Sequence, residues 1–237
     1  MTKLSVNINK IALIRNSRGS NSPDVRQVAM DCEEFGAEGI TVHPRPDQRH
    51  ITYKDIPVLK EIVTTEFNIE GYPSEDFMKL VLRNRPTQCT LVPDAPDALT
   101  SDAGWNTVVH KNFLKDTVAR LQDAGIRVSL FVDPIADILH HAKETGTERI
   151  EFYTGPYAKI YETDKEKAIH AYREAAEICN SLALGINAGH DLNLDNLKFF
   201  HSRIPGLLEV SIGHALVCDA LYLGLKNTIQ CYLQKLA

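Results

Sequence analysis

The chain has 237 residues, 43% hydrophobic and 24% charged, a globular composition with enough apolar side chains for a full core. Its 26 basic and 31 acidic residues are interspersed and leave a formal charge of -5, which excludes a polybasic stripe for nucleic acid and an acidic tail and points to small-molecule partners. The N-terminal MTKLSVNINKIALIRN breaks its apolar residues with Asn, Lys and Arg before a signal-peptide core can form. No run reaches the roughly 18 apolar residues of a membrane span, so the expectation is a soluble cytoplasmic protein without membrane partners.

In chain order, short apolar or alternating runs recur every 20 to 40 residues or about that, each followed by a helical stretch, which is the rhythm of βα units. Eight strands are predicted: LSVNIN (4–9), GITVHP (39–44), FNIEGY (67–72), QCTLVPD (88–94), RVSLFVDP (127–134), RIEFYTG (149–155), GINAGH (185–190) and LLEVSIGH (207–214). The intervening helices carry apolar stripes at steps of three or four, such as Val25, Val28, Ala29, Cys32 and Phe35, or Leu114, Val118 and Leu121. Gly36 and Gly125 stand where a helix ends and a strand is about to begin. Eight such units without a break in composition predict one closed (β/α)8 TIM barrel over residues 1–237 rather than two domains. An open doubly wound sheet would want a G-x-G-x-x-G after its first strand, and VNINKIALIRN has no glycine. The last helix, HALVCDALYLGLKNTIQCYLQ (214–234), is apolar over more than one stripe, which suggests burial on two sides and a homo-oligomer.

A barrel places its chemistry at the C-terminal ends of the strands. Alternation turns Asn7 and Asn9, Thr41 and His43, Asn68 and Glu70, Ser129 and Asp133, Glu151 and Tyr153, and Ser211 and Gly213 inward. That face is too polar for an ordinary barrel core of Val, Ile and Leu, and an unpaired buried polar group costs about 1 to 3 kcal/mol, so a wet active site is expected. Glu70, inward at the end of its strand, is the candidate general acid or base. His43 and His190 end strands 2 and 7 and, with His50 and His214 nearby, suit proton transfer near neutral pH. No H-x-H, H-E-x-x-H or Cys/His pair has ligand spacing, and the five scattered cysteines (Cys32, Cys89, Cys179, Cys218, Cys231) hold no C-x-x-C, so no metal is expected. The adjacent His140 and His141 lie mid-helix and read as surface or packing residues. NAGH (187–190) and SIGH (211–214) follow strands 7 and 8, the usual phosphate cradle of a barrel, and Arg18, Arg45 and Arg49 offer guanidinium groups for a second phosphate.

These residues fall into ordered blocks: VNI (6–8), RNSRG (15–19), GITVH-x-R-x-D-x-R-H-I (39–51), NIE (68–70), LVP (91–93), AGI-x-VSLF (124–131), IEFYTG-x-YA (150–158), NAGH-x-L (187–192) and IGHA (212–215). With them the sequence resembles the pyridoxine 5'-phosphate synthase family over essentially its whole length. The resemblance implies a TIM barrel with extra helices that condenses 3-amino-2-oxopropyl phosphate with 1-deoxy-D-xylulose 5-phosphate, without metal or organic cofactor, in an octameric assembly. It assigns proton-acceptor, acid/base and proton-donor roles to His43, Glu70 and His190. It assigns substrate or phosphate contacts to Asn7, Arg18, Arg45, His50, Thr100, Gly213 and His214. Where many members read N-I-D-H and N-A-G-H-G, this chain has Asn9, Lys10 and Asp191, and Lys10 and Asp191 are expected to compensate for one another near a phosphate. Two other readings are a Schiff-base aldolase using Lys10 and a non-catalytic phosphosugar-binding protein.

Overall fold

In a computed structural model the described residues are 1–94 and 103–237. Eight parallel strands close into a barrel in chain order: β1 (Lys3–Asn7), β2 (Gly39–Val42), β3 (Glu66–Gly71), β4 (Gln88–Leu91), β5 (Arg127–Val132), β6 (Arg149–Phe152), β7 (Gly185–Gly189) and β8 (Leu207–Ile212). The sequence reading ran one to three residues past the C-terminal end of each. The register explains the difference: pairing stops at Asn7, Val42, Gly71, Leu91, Val132, Phe152, Gly189 and Ile212, and beyond it lie Pro44, Pro93 and Pro134, which cannot donate to a ladder. Asn9, read as strand, instead begins a helix.

Among the described residues there are eleven helices, three more than a bare barrel of eight units requires. Those the site needs are α1 (Asn9–Asn16), set over the barrel mouth directly after β1; α2 (Val25–Glu34); α5 (Lys111–Asp123); α6 (Ala136–Glu144); and the consecutive α7 (Gly155–Tyr161) and α8 (Lys165–Ser181) between β6 and β7. After β8 the expected single helix is two, α10 (His214–Leu223) and α11 (Leu225–Lys235), with α9 (Leu197–Arg203) before β8. The break is at Gly224, whose φ of 76° only glycine adopts without strain. The predicted stripes are the buried faces: Val25, Ala29 and Cys32 on α2, and Leu114, Val118 and Leu121 on α5, are all buried. Gly36 and Gly125 have φ of 103° and 76°, the left-handed turn that ends α2 and α5. His140 on α6 is exposed, and His141 bonds the Asp137 carbonyl one turn earlier.

The core lies between strands and helices rather than inside the barrel. Outward-facing Leu4, Val6, Ile40, Phe67, Ile69, Val128, Leu130, Ile150, Phe152, Ile186 and Val210 are at most 1% exposed, and each such side chain contributes about 1.5 to 3 kcal/mol on burial. Inward-facing positions are largely polar, and most of their side chains are partnered. At the N-terminal end of the barrel, Glu66 accepts from Lys3 and Arg127, Arg127 Nε donates to Gln88 at 2.9 Å, and Arg149 reaches Asn187 at 3.2 Å and Glu209 at 3.4 Å. One layer higher, Ser5 and Thr41 hydroxyls meet at 2.7 Å, Asn68 donates to Thr41 at 3.4 Å, and Thr90 donates to Asn68 at 3.1 Å.

Strand β7 needs glycine where it reaches the mouth, because a Cβ on Gly189 would stand 2.4 Å from the Ser211 carbonyl oxygen of β8. Gly189→Ala is expected to force the two strands apart at a cost of about 2 kcal/mol. Thermal melts should place its Tm roughly 4–8 °C below that of the parent.

Candidate active site

The C-terminal ends of the strands surround a cavity of about 660 Å3. All the predicted site residues line it except two: Asn7, Asn9, Lys10, His43, Arg45, His50, Glu70, His190, Asp191, Gly213 and His214 are in its wall. Arg18 stands in the exposed turn after α1, outside that wall, and Thr100 lies outside the described residues.

The mouth is assembled by local hydrogen bonds. Asn7, the last residue of β1, accepts the Asn9 N–H at 3.1 Å on its side-chain oxygen, and Asn9 in turn accepts the His43 N–H at 2.9 Å. Each amide thus turns the chain from strand to loop or helix and fixes the next element. The loop after β2 is braced from behind by Arg15 of α1, which pairs with Asp55 at 2.7 Å and donates to the His50 carbonyl at 3.3 Å. Its residues Arg45 and His50 are 4% and 7% exposed. Arg45 meets Asp94, just past β4, at 2.5 Å with both side chains 5% exposed.

Electrostatics separate the titrating groups into two kinds. Burial, reinforced by the charges of Arg45, His50 and Arg49, holds His43 well below the usual imidazole range. Burial with Arg49, Arg45 and Lys10 pushes His50 down to about 4. Both rings are therefore neutral at pH 7, and they approach edge-on with centroids 6.3 Å apart. Glu70 is moved the other way. Burial, then the neighbouring Glu151, Asp94 and Glu209 carboxyls, raises it well above the usual carboxylate range, with Arg45 in opposition. Asn7 Nδ2 donates to its Oε2 at 3.4 Å. Glu151 of β6, 5% exposed in the same cavity, is raised by burial and Glu209 to about 8. Burial therefore favours the acid form of two carboxyls in the same cavity where it favours two neutral imidazoles.

Sequence reasoning turned Glu151 inward but left it out of the candidate site. The missing signal was the barrel register, which sets Phe131, Glu151 and Asn187 side by side across β5, β6 and β7. The expected Lys10–Asp191 pair does not form. The Asp191 carboxylate is taken by His190 Nδ1 at 2.9 Å, one residue away, which lowers its pKa below the usual aspartate range. Among the described residues no group of three or more His, Cys, Asp or Glu side chains is placed to hold a metal ion.

A family model described as "Pyridoxal phosphate biosynthesis protein PdxJ" matches residues 4–237. The chain belongs to the PdxJ family. Its PdxJ-family relatives include proteins named pyridoxine 5'-phosphate synthase from Cytophaga hutchinsonii, 60% identical over 100% of this chain and 99% of that one, and from Flavobacterium johnsoniae, 58% identical over 100% of both. Solved structures share the barrel at much lower identity. A 3-keto-L-gulonate-6-phosphate decarboxylase from Vibrio cholerae aligns with a TM-score of 0.66 at 7% identity over 99% of this chain and 97% of that one. A phosphoribosyl anthranilate isomerase from Thermotoga maritima aligns at 0.64 and 12% identity over 100% and 98%. These two establish the TIM-barrel fold alone.

The raised carboxyls have a consequence for stability. A carboxyl whose folded pKa exceeds its unfolded value stabilises fully below the unfolded value, about 4.5 for glutamate, and loses that contribution as pH climbs through the folded value. For Glu151 the window runs from the model-peptide value of 4.5 to about 8. The parent's Tm, measured against that of Glu151→Gln at pH 5, 6.5 and 8, is expected to lose ground steadily across the series.

Proposed function

We propose that this chain is a pyridoxine 5'-phosphate synthase, condensing 3-amino-2-oxopropyl phosphate with 1-deoxy-D-xylulose 5-phosphate to give pyridoxine 5'-phosphate, inorganic phosphate and water, with no metal or organic cofactor. The observation that carries the reading is the convergence in one cavity of Glu70 and Glu151, whose burial favours the acid form, with His43 and His50, whose burial favours the neutral ring, and with His190. Imine formation, loss of water and phosphate, and aromatic ring closure need several proton transfers at different atoms, which one group cannot reach. A binding protein would have no need to hold carboxyls in their acid form.

In this reading Glu70 is the central acid/base and Glu151 a second acid across the cavity. His43, kept neutral by burial and then by its cationic neighbours, accepts a proton, and His190 donates one. The first turn of α10 supplies the N–H groups of His214, Ala215 and Leu216 for one phosphate, with Gly213 allowing the approach. A Cβ at Gly213 would stand 3.1 Å from Asn7, so a larger residue there would press on the Asn7 side chain. Arg45 and His50 serve the second phosphate, with Asn7, Asn9, Lys10 and Asp191 along the wall between. For Arg18, and for Thr100 outside the described residues, the family resemblance alone implies substrate contacts.

The same reading treats residues 1–237 as one domain acting in the cytoplasm, and two observations support the compartment. No helix among the described residues is long and apolar enough to cross a membrane, and the five cysteines are free thiols, as expected in a reducing environment. The assembly is a homo-oligomer. On α10, Leu216 and Val217 are buried in the chain's own core while Leu221, Tyr222 and Leu223 are 73%, 91% and 44% exposed, an apolar edge suited to a second copy.

The activity is tested by incubating purified protein with both substrates in chelator and following pyridoxine 5'-phosphate and released phosphate. The parent should form both in equal amounts, and Glu70→Gln should lose at least 100-fold in kcat or about that, the contribution typical of a general acid/base. Absence of product, together with borohydride trapping of a ketose phosphate on Lys10, would instead favour a Schiff-base enzyme. For the assembly, Leu221→Glu with Tyr222→Glu should shift light-scattering mass toward a smaller species while the far-ultraviolet circular dichroism stays that of the parent.

A further inference from the structure

The turn after β7 is held more tightly than a loop of its length requires. Thr154 donates to the Gly189 carbonyl, Asn196 donates to the Asp191 carbonyl at 3.2 Å, and Tyr157 donates to the Asn196 carbonyl at 2.8 Å. Asn193 closes it locally by accepting from Asp195 and Asn196 at 2.9 and 3.1 Å. Within this frame His190 adopts φ 52°, a left-handed conformation that a non-glycine residue enters only at a cost. The ring is flanked by Tyr153 edge-on at 5.5 Å and by Phe131 at 6.3 Å, and its Nδ1 lies 2.9 Å from an Asp191 carboxylate oxygen. An ionised carboxylate can only accept, so Nδ1 carries the hydrogen.

We propose that Asp191 is a positioning residue for His190, fixing through Nδ1 the tautomer and orientation that present Nε2 to the cavity. The inference rests on the synthase reading for the role of His190, but not for the pairing itself. It reassigns Asp191 from a phosphate neighbour to a partner of the imidazole. In water a neutral imidazole is not held to one tautomer; a neighbouring carboxylate selects Nδ1–H and also stabilises the imidazolium, which suits a proton donor. The other charged or titratable groups near the pair are Tyr153 and Glu151 on β6, His214 on α10, Lys159 on α7 and Lys10 on α1. Among these described groups, Asp191 brings a formal negative charge to the ring, at 2.9 Å from Nδ1.

The test is a pH titration of the full-length protein labelled with 15N-histidine, following both ring nitrogens of His190, which are assigned by their loss in His190→Gln. In the parent, the neutral ring should be the Nδ1–H tautomer. Asp191→Asn, whose side-chain oxygen can still accept, should keep that tautomer. Asp191→Gly should lose the tautomer preference and lower kcat with little change in KM for either substrate. An identical tautomer preference in the parent and Asp191→Gly would overturn the proposal. So would tighter binding of inorganic phosphate in Asp191→Asn with an unmoved histidine signal, which would return Asp191 to guarding a phosphate. If the nuclear magnetic resonance behaviour is as expected but the parent makes no product, the synthase reading fails and the positioning role stands.

Discussion

The constraint on which this barrel depends is that its interior is polar and must satisfy itself. Where a barrel of this type usually packs Val, Ile and Leu inside, this one places Ser5, Thr41, Asn68, Thr90, Asn187 and Glu209, all at most 3% exposed. Every such group gives up water and must recover a partner from another strand, so the hydrogen bonds that run from β1 through β4 and back through Arg127 and Arg149 are obligatory rather than supplementary. Three inward groups among the described residues remain without one: Gln88 Nε2, Ser129 Oγ and Ser211 Oγ. The network also fixes register. A slip of one residue would send Glu66, Asn68 and Glu70 into the apolar layer beneath the helices and bring Phe67 and Ile69 inside, an exchange no helix arrangement could accommodate.

That interior prepares the site above it. Glu70 of β3 and Glu151 of β6 share one cavity, with Glu209 of β8 in the layer beneath, and there burial and mutual repulsion favour the protonated form, while burial and the cations of the β2 loop favour neutral imidazoles at His43 and His50. Burial is the largest cause in both halves, and the charges reinforce it: without Arg45 the histidines would gain protons more readily, and without the carboxyl cluster Glu70 would lose its proton more readily. The buried Arg45–Asp94 pair moderates the two fields, since it brings a positive charge to the cavity while bringing its own counter-charge with it.

Much of this was legible in the sequence because strands alternate strictly. The period of two put Thr41 with His43 and Asn68 with Glu70 on one face, and the strand ends located the site without any contact information. Strand ends themselves were less legible, since His43 and Asn9 continue the alternation although pairing has ceased. Glu151 was invisible as an acid because its environment is made by β3 and β8, far away in sequence. The division of the last helix turned on the backbone of a single glycine, Gly224, inside an otherwise continuous apolar pattern. The Asp191–His190 pair escaped for a different reason: adjacent residues in a strand or helix point apart, and only the left-handed conformation of His190 turns the two side chains together.

The raised carboxyls also bear on how such a cavity could admit two phosphorylated substrates. A site with Glu70, Glu151 and Asp191 all ionised would set three negative charges against Lys10, Arg45 and Arg49, and the carboxylates would repel each incoming phosphate at close range in a medium of low dielectric. Holding Glu70 and Glu151 in the acid form removes that repulsion before any substrate arrives. Each bound phosphate would then push the same carboxyls further toward protonation, because like charges disfavour ionisation. Binding and acid catalysis would thereby be coupled in sign: the more phosphate the cavity holds, the more securely its acids keep the protons that elimination of water and phosphate consumes. Release of inorganic phosphate would reverse the effect and let Glu70 lose its proton more easily at the stage when ring closure calls for a base. A polar barrel interior that costs hydrogen-bonding precision throughout the fold is, on this argument, what allows one set of side chains to serve first as acids and then as bases.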